Sequence, residues 1–206
     1  MKKRHFIDTN KGITALIILV MIAAFGQWEN STAWVYLGIH GTYGILWVLK
    51  SRIFPDESWE ENCSLGLGLV YWFGLTLYWV APLIITSQSI QVPAWYLGLC
   101  VSIYAFGVFF HFTSDMQKHT SLTLHPERLI TTGMMSRVRN PNYFGELLIY
   151  LSFAMLARHW LPVVILILAV IVVWIFFMKK KDRSLSRYPE FEDYKKRTKL
   201  FIPYIL

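Results

Sequence analysis

The chain has 206 residues, 55% of them hydrophobic and 17% aromatic, with nine tryptophans and a mean hydropathy of +0.41. That excludes an ordinary soluble domain of this length and fits a single membrane domain, residues 1–206, with interfacial aromatic belts. The net charge of +7 would suit a nucleic-acid partner, but the placement of the charges argues against one, and Cys63 and Cys100 lack metal-ligand spacing.

The opening stretch "MKKRHFIDTNKGITALIILVMIAAFGQ" imitates a signal peptide, with a basic start and an apolar core. The many apolar runs after it favour a retained first helix. A spanning helix needs about 20 mostly apolar residues. Segments near 12–28, 33–49, 64–87 and 93–113 fit that requirement. The run 143–178 is too long for one crossing, and "ARHWLP" at 157–162 interrupts it. A tight hairpin of 143–157 and 160–178 follows. The expected fold is therefore all-α: a polytopic integral membrane helical bundle of about six transmembrane helices.

Lysine and arginine set the orientation of such a bundle. With both termini cytoplasmic, nineteen of the 20 basic residues fall on the inside and only Arg158 falls outside. The positive charge then reports topology, which makes nucleic acid a poor partner. Membrane lipids and a lipophilic substrate from the bilayer are the expected ones. The predicted location is an internal or plasma membrane, the inner membrane in a bacterium.

Both large polar segments, 114–141 and 179–206, face the cytoplasm together in this reading. In "HFTSDMQKH", 111–119, Asp115 stands at the end of the fourth predicted helix, while His111 and His119 read as interfacial. In "RVRNPNYFGE", 137–146, Asn140 suits an N-cap and Pro141 the first helical turn. Arg137 and Arg139 can anchor to lipid phosphates. Capping does not account for Glu146, because a carboxylate one turn into a membrane helix is costly and marks a site. Asn142, Tyr143, Glu146 and Tyr150 recur at helical spacing and form a polar strip. No carboxylate–His helix motif accompanies them, so no metal is expected. The tail "KKKDRSLSRYPEFEDYKKRTKLFIPYIL" puts Tyr188, Phe191 and Tyr194 at helical spacing before an apolar terminus. Such a tail should fold back on the membrane face and lie over the strip as a lid.

Ser114-Asp115, Gly133, "NYFGE" at 142–146 and "IPYI" at 202–205, in this order, resemble the integral-membrane reductases of the steroid 5α-reductase and Δ14-sterol reductase type. The resemblance covers the C-terminal half, 111–206, and leaves 1–110 as the substrate side. The fold is similar, more loosely, to isoprenylcysteine carboxyl methyltransferases and phospholipid methyltransferases. Their core is "RHPxY" followed by an acidic pair. This chain has Asn140 in place of the histidine and "KKKDRSL" in place of the acids, which favours the reductase.

The reductase resemblance implies an NADPH-dependent oxidoreductase that delivers hydride to a lipophilic conjugated enone, steroid or isoprenoid-like. It places Asp115, Asn142 and Glu146 around the nicotinamide and its ribose, with Arg128, Lys179 and Arg183 at the phosphates. Arg139 and Tyr188 complete the cofactor candidates, and Glu146 and Tyr143 are the catalytic ones. The carbonyl's proton donor should come from the N-terminal half, where Glu60, Glu61, Tyr71 and Tyr78 qualify by residue type. S-adenosylmethionine with methyl transfer to a lipid or prenylated substrate is the alternative. A non-catalytic membrane scaffold of the same fold is the third reading.

Overall fold

A computed structural model describes residues 1–205 and is helical throughout, with no strand among the described residues. In chain order the helices are α1 (Lys3–Ala24), α2 (Ser31–Ile53), the single turn α3 (Glu57–Glu60), α4 (Leu65–Thr76) and α5 (Val80–Ser87). They continue with α6 (Ala94–Leu124), α7 (Pro141–Leu156), α8 (Trp160–Leu168), α9 (Ile175–Leu185) and α10 (Phe191–Arg197). A 3-10 turn, Leu77–Trp79, joins α4 to α5, and a π-helical segment, Ala169–Trp174, joins α8 to α9. Helix caps set several starts: Asn30, Asp56 and Ser64 each accept a backbone N–H through a side-chain oxygen.

Four helical stretches are long and apolar enough to cross a membrane: Lys3–Ala24, Leu65–Ser87, Ala94–Leu124 and Trp160–Leu185. Two further expected crossings fall short of that measure. At 23 residues α2 has the length, but polar side chains such as His40, Lys50 and Arg52 dilute it. The other, α7, has only 16 residues. The long apolar run does break where the sequence placed a turn, between α7 and α8, with Arg158 in a left-handed backbone, φ 44°.

The chain divides into two compact units. The first comprises Met1–Tyr104 with Tyr150–Ile165, the second Ala105–Ile149 with Leu166 onward. Both units are discontinuous in sequence, and the turn between α7 and α8 belongs with the N-terminal helices.

In the first unit α1 packs closely on α2. A side-chain carbon added to Gly44 would lie 2.2 Å from the Lys11 carbonyl oxygen, so only glycine permits this approach. The α3 turn is tied to the start of α1 by Lys2–Glu60 and Arg4–Glu60 pairs, both 2.7 Å, and by Lys3–Glu61. The hydrogen bond from Lys2 holds the Glu60 carboxyl below its usual range.

In the second unit α6 meets α7 at two glycines. A carbon added to Gly145 would stand 2.4 Å from the His111 amide nitrogen, and one added to Gly107 would stand 2.8 Å from the Gly145 carbonyl. Small residues at such a crossing bring two helix backbones together, as in membrane bundles generally.

Candidate functional site

Pro141 is the first residue of α7, where its missing N–H costs nothing. The stretch before it does something the sequence did not reveal. Val138 bridges to Lys199 in parallel, the Arg139 amide donates to the Lys199 carbonyl, and the Asn140 amide donates to the Leu200 carbonyl. The Asn140 side chain, expected to cap α7, donates to the Leu200 carbonyl at 3.0 Å and accepts from Lys181 Nζ at 2.9 Å. The tail therefore does fold back, and residues 137–140 clasp it.

Arg139 is the centre of the clasp and is 7% exposed. Its Nε donates to both Asp182 oxygens at 3.1 Å, its Nη2 pairs with Asp182 at 3.0 Å, and its Nη1 donates to the Thr198 carbonyl at 2.8 Å. A guanidinium has five N–H donors, and these contacts commit it within the protein. This geometry gives Arg139 a structural role where the sequence suggested a cofactor contact. The partners were invisible because they lie more than 40 residues away. Phe191, Tyr194 and Phe201 anchor the same tail in the interior. Tyr194 Oη donates to the Met135 carbonyl at 2.7 Å, and burial pushes its phenol up to about 12.

Asp115 and Asn142 are brought together through a residue the sequence reading set aside. His111, expected at the interface, is 1% exposed. Its Nδ1 lies 3.3 Å from the Asn142 carbonyl oxygen and its Nε2 lies 3.7 Å from Asp115. His111 and Asp115 are i and i+4 on α6, so one helical turn presents both to the start of α7. The crossing at Gly107 and Gly145 is what lets α7 come near enough for this contact.

Tyr143 is half-buried, with its ring 5.6 Å from that of Trp174, and Glu146 is half-buried one turn further along α7. Trp174 closes the π-helical segment, a distortion often found at functional sites. The remaining cofactor candidates lie at the surface. Arg128 sits in the loop after α6, Lys179 and Arg183 are exposed on α9, and half-buried Tyr188 is held by Arg187 at 3.1 Å. Gln117 braces the loop before α7 by binding both Thr132 and Met134 across Gly133, whose φ is +58°.

The proton-donor candidates of the N-terminal half fare differently. Glu60 and Glu61 are engaged in the ion pairs that tie α3 to α1. Tyr71 packs edge-on against Trp59, and Tyr78 stacks on Tyr150 with ring centres 4.0 Å apart. A residue counted in the sequence as a topological charge, Lys11, is instead buried in α1 at 4% exposure. Its Nζ donates to Tyr150 Oη and lies over the rings of Tyr43, Trp47 and Tyr150, 4.4–5.0 Å from their centres. Among the described residues no group of three or more His, Cys, Asp or Glu side chains could hold a metal ion.

Long apolar helices with buried polar groups define a multi-pass integral membrane protein. Residues 74–206, well over half the chain, match the family described as 3-oxo-5-alpha-steroid 4-dehydrogenase, and the chain belongs to that family. It is also similar to the cobalt-zinc-cadmium resistance protein CzcN of Cupriavidus metallidurans, with 29% identity over 161 residues. That match covers 77% of this chain and 60% of the relative, so the chain spans less than two thirds of the relative's length.

Proposed function

We propose that the protein is an NADPH-dependent membrane reductase of a lipophilic conjugated enone. The observation that carries this reading is the family match, which takes in Asp115, Asn142, Tyr143 and Glu146 in one continuous block. The donor set suits a reduced dinucleotide. Asp115 offers a carboxylate and Asn142 an amide for the ribose and carboxamide. The exposed Arg128, Lys179 and Arg183 offer cations for the phosphates. Arg139, committed to Asp182 and the tail, is left out of that set. When bound, the cofactor supplies hydride. The chain's part is to orient it, exclude water and hold a proton for the carbonyl oxygen.

The same reading takes α2 and α7 as further crossings, six in all, with both termini cytoplasmic. Glu146 then sits one turn below the cytoplasmic surface, where an intramembrane carboxylate marks a ligand pathway.

Purified protein in detergent should bind NADPH at micromolar strength, read as quenching of its tryptophans. Glu146→Gln and Asn142→Ala should each weaken binding at least about tenfold, as loss of a hydrogen bond to a charged or polar partner does. Binding of S-adenosylmethionine, with no response to NADPH, would overturn the reductase reading.

A further inference from the structure

The clasped tail carries two features that the cofactor reading leaves unused: a ridge of cations and an apolar end. Helix α10 turns Phe191 and Tyr194 into the interior, and Thr198, just past it, is buried with them. The charges are sorted along the chain. Glu192 and Asp193 fall in the first turn, Lys195, Lys196 and Arg197 in the last, and Lys199 follows. All four cations are exposed. Among the described residues Lys196 alone of the four has an acidic partner, Asp193 at 3.0 Å, and a pair so exposed holds little. Exposed Arg137 is their neighbour, because its carbonyl accepts the Lys199 amide at 3.0 Å.

The backbone under this ridge is fixed. Arg139 Nη1 donates to the Lys195 and Thr198 carbonyls, and Val138 bridges to Lys199. From α9, Asp182 holds Arg139 and Lys181 holds Asn140. A preformed array of this kind loses little order when it meets a partner. Its height is set as well. In the proposed threading α7 leaves the membrane at Pro141, and the stretch Trp160–Leu185 leaves it near Lys179. The clasp joins those two ends, so the ridge lies at the level of the lipid headgroups.

The apolar end follows directly. Residues Ile202, Pro203, Tyr204 and Ile205 form a turn, closed by the Ile205 amide on the Ile202 carbonyl at 3.2 Å. Tyr204 takes its third position with φ 65°, where glycine or asparagine is the ordinary choice. The turn thus tolerates strain to carry an aromatic ring, and it leaves that ring bare: Tyr204 is 79% exposed and Ile205 75%.

We propose that the tail docks on an anionic phospholipid surface. Lys195, Lys196, Arg197, Lys199 and Arg137 meet the charged headgroups, and Tyr204 and Ile205 enter the layer beneath them. Basic residues close to a membrane are drawn to its anionic lipids, and a tyrosine at headgroup depth keeps its hydroxyl wet while its ring is buried. Charge and apolar contact together anchor a segment that either alone would hold weakly. A soluble polyanion would use the cations and leave Tyr204 and Ile205 in water, so a lipid surface fits both features. The proposal stands apart from the reductase reading, because Arg128, Lys179 and Arg183, the cations offered to the cofactor, take no part in it.

The test reads the tail in a bilayer of known charge. Cys63 and Cys100 are replaced, Ile205→Cys is labelled with an environment-sensitive fluorophore, and the protein is reconstituted in two bilayers. One is phosphatidylcholine; in the other a third of the lipid is phosphatidylglycerol. The label should emit at shorter wavelength in the anionic bilayer, and high salt should reverse most of that shift by screening the charges. Lys195→Gln, Lys196→Gln and Lys199→Gln combined should abolish the shift. The three side chains are exposed, so this variant should melt with wild type in phosphatidylcholine and keep the wild-type response to NADPH. Tyr204→Gly, which suits the turn and removes the ring, should lose most of the shift. Equal emission in the two bilayers overturns the proposal, as does a shift that survives high salt, the triple substitution or Tyr204→Gly. If the triple variant melts early, the salt and Tyr204→Gly measurements decide.

Discussion

At the scale of single residues, Arg139 shows how a basic side chain can be read two ways. Beside "NPNY" it looks like a phosphate ligand, yet it is 7% exposed and bonded to Asp182 and Thr198. Removing one member of a buried ion pair leaves the other charge without compensation, which costs about 3–5 kcal/mol. Arg139→Met should therefore lower the unfolding free energy in detergent by about that amount. The folded fraction should keep its affinity for NADPH. A stable variant with weakened NADPH binding would return Arg139 to the cofactor site. Lys11 teaches the complementary lesson. The apolar run begins at residue 12, so Lys11 reads as a charge outside the membrane that sets topology. The helix in fact starts at Lys3, about two and a half turns before the point where hydropathy alone would begin it. Asn142 and Glu146 were legible because polar groups stand out within an apolar segment. The cage around Lys11 was not, because Tyr43, Trp47 and Tyr150 come from two other helices and only folding brings them together.

At the scale of elements, the crossing of α6 and α7 decides whether the candidate site exists. The contact between His111 and the Asn142 carbonyl needs the two backbones close together, and Gly107 and Gly145 provide that closeness. In Gly145→Ala the new carbon would meet the His111 amide nitrogen at 2.4 Å, which is backbone and cannot swing aside. The helices must separate. Overpacking of this kind costs about 1–3 kcal/mol. Gly145→Ala should therefore melt earlier and bind NADPH more weakly than wild type, because it displaces Asn142 from His111 and Asp115. Gly66→Ala is the control: nothing lies within 4 Å of the added carbon in α4, and alanine is the better helix former. It should melt at or slightly above the wild-type temperature. Equal melting and NADPH affinity in both variants would show that the crossing does not position the site. Nothing in the sequence pairs Gly107 with Gly145, because they lie on different helices and only folding brings them together. The break between α7 and α8 was readable from the interrupted apolar run, whereas the π-helical distortion before α9 has no counterpart in the hydropathy pattern.

At the scale of the whole molecule, the question is which way the chain threads the membrane. The stretch Trp160–Leu185 is helical along its length, and its 26 residues extend about 39 Å at 1.5 Å per residue. A hydrocarbon core is about 30 Å thick. Its length and apolar composition are enough to cross that core, and in the proposed threading its two ends lie on opposite faces. Exposed Arg158 marks the turn before one end, and exposed Lys179 and Lys180 mark the other. Basic residues are retained on the cytoplasmic side, and the proposed six-crossing arrangement would put nineteen of the 20 on one side. Lys11 counts with them by its place in the chain, although its buried ammonium serves the interior. With Cys63 and Cys100 replaced, Arg158→Cys should react with a membrane-impermeant maleimide in intact cells. Lys180→Cys should react only after the membrane is opened. The opposite pattern would invert the orientation and put Asp115, Asn142 and Glu146 on the side without cytoplasmic NADPH. Labelling of both from the same side would remove the crossing itself, and with it the membrane setting that makes a half-buried Glu146 and a buried Lys11 meaningful.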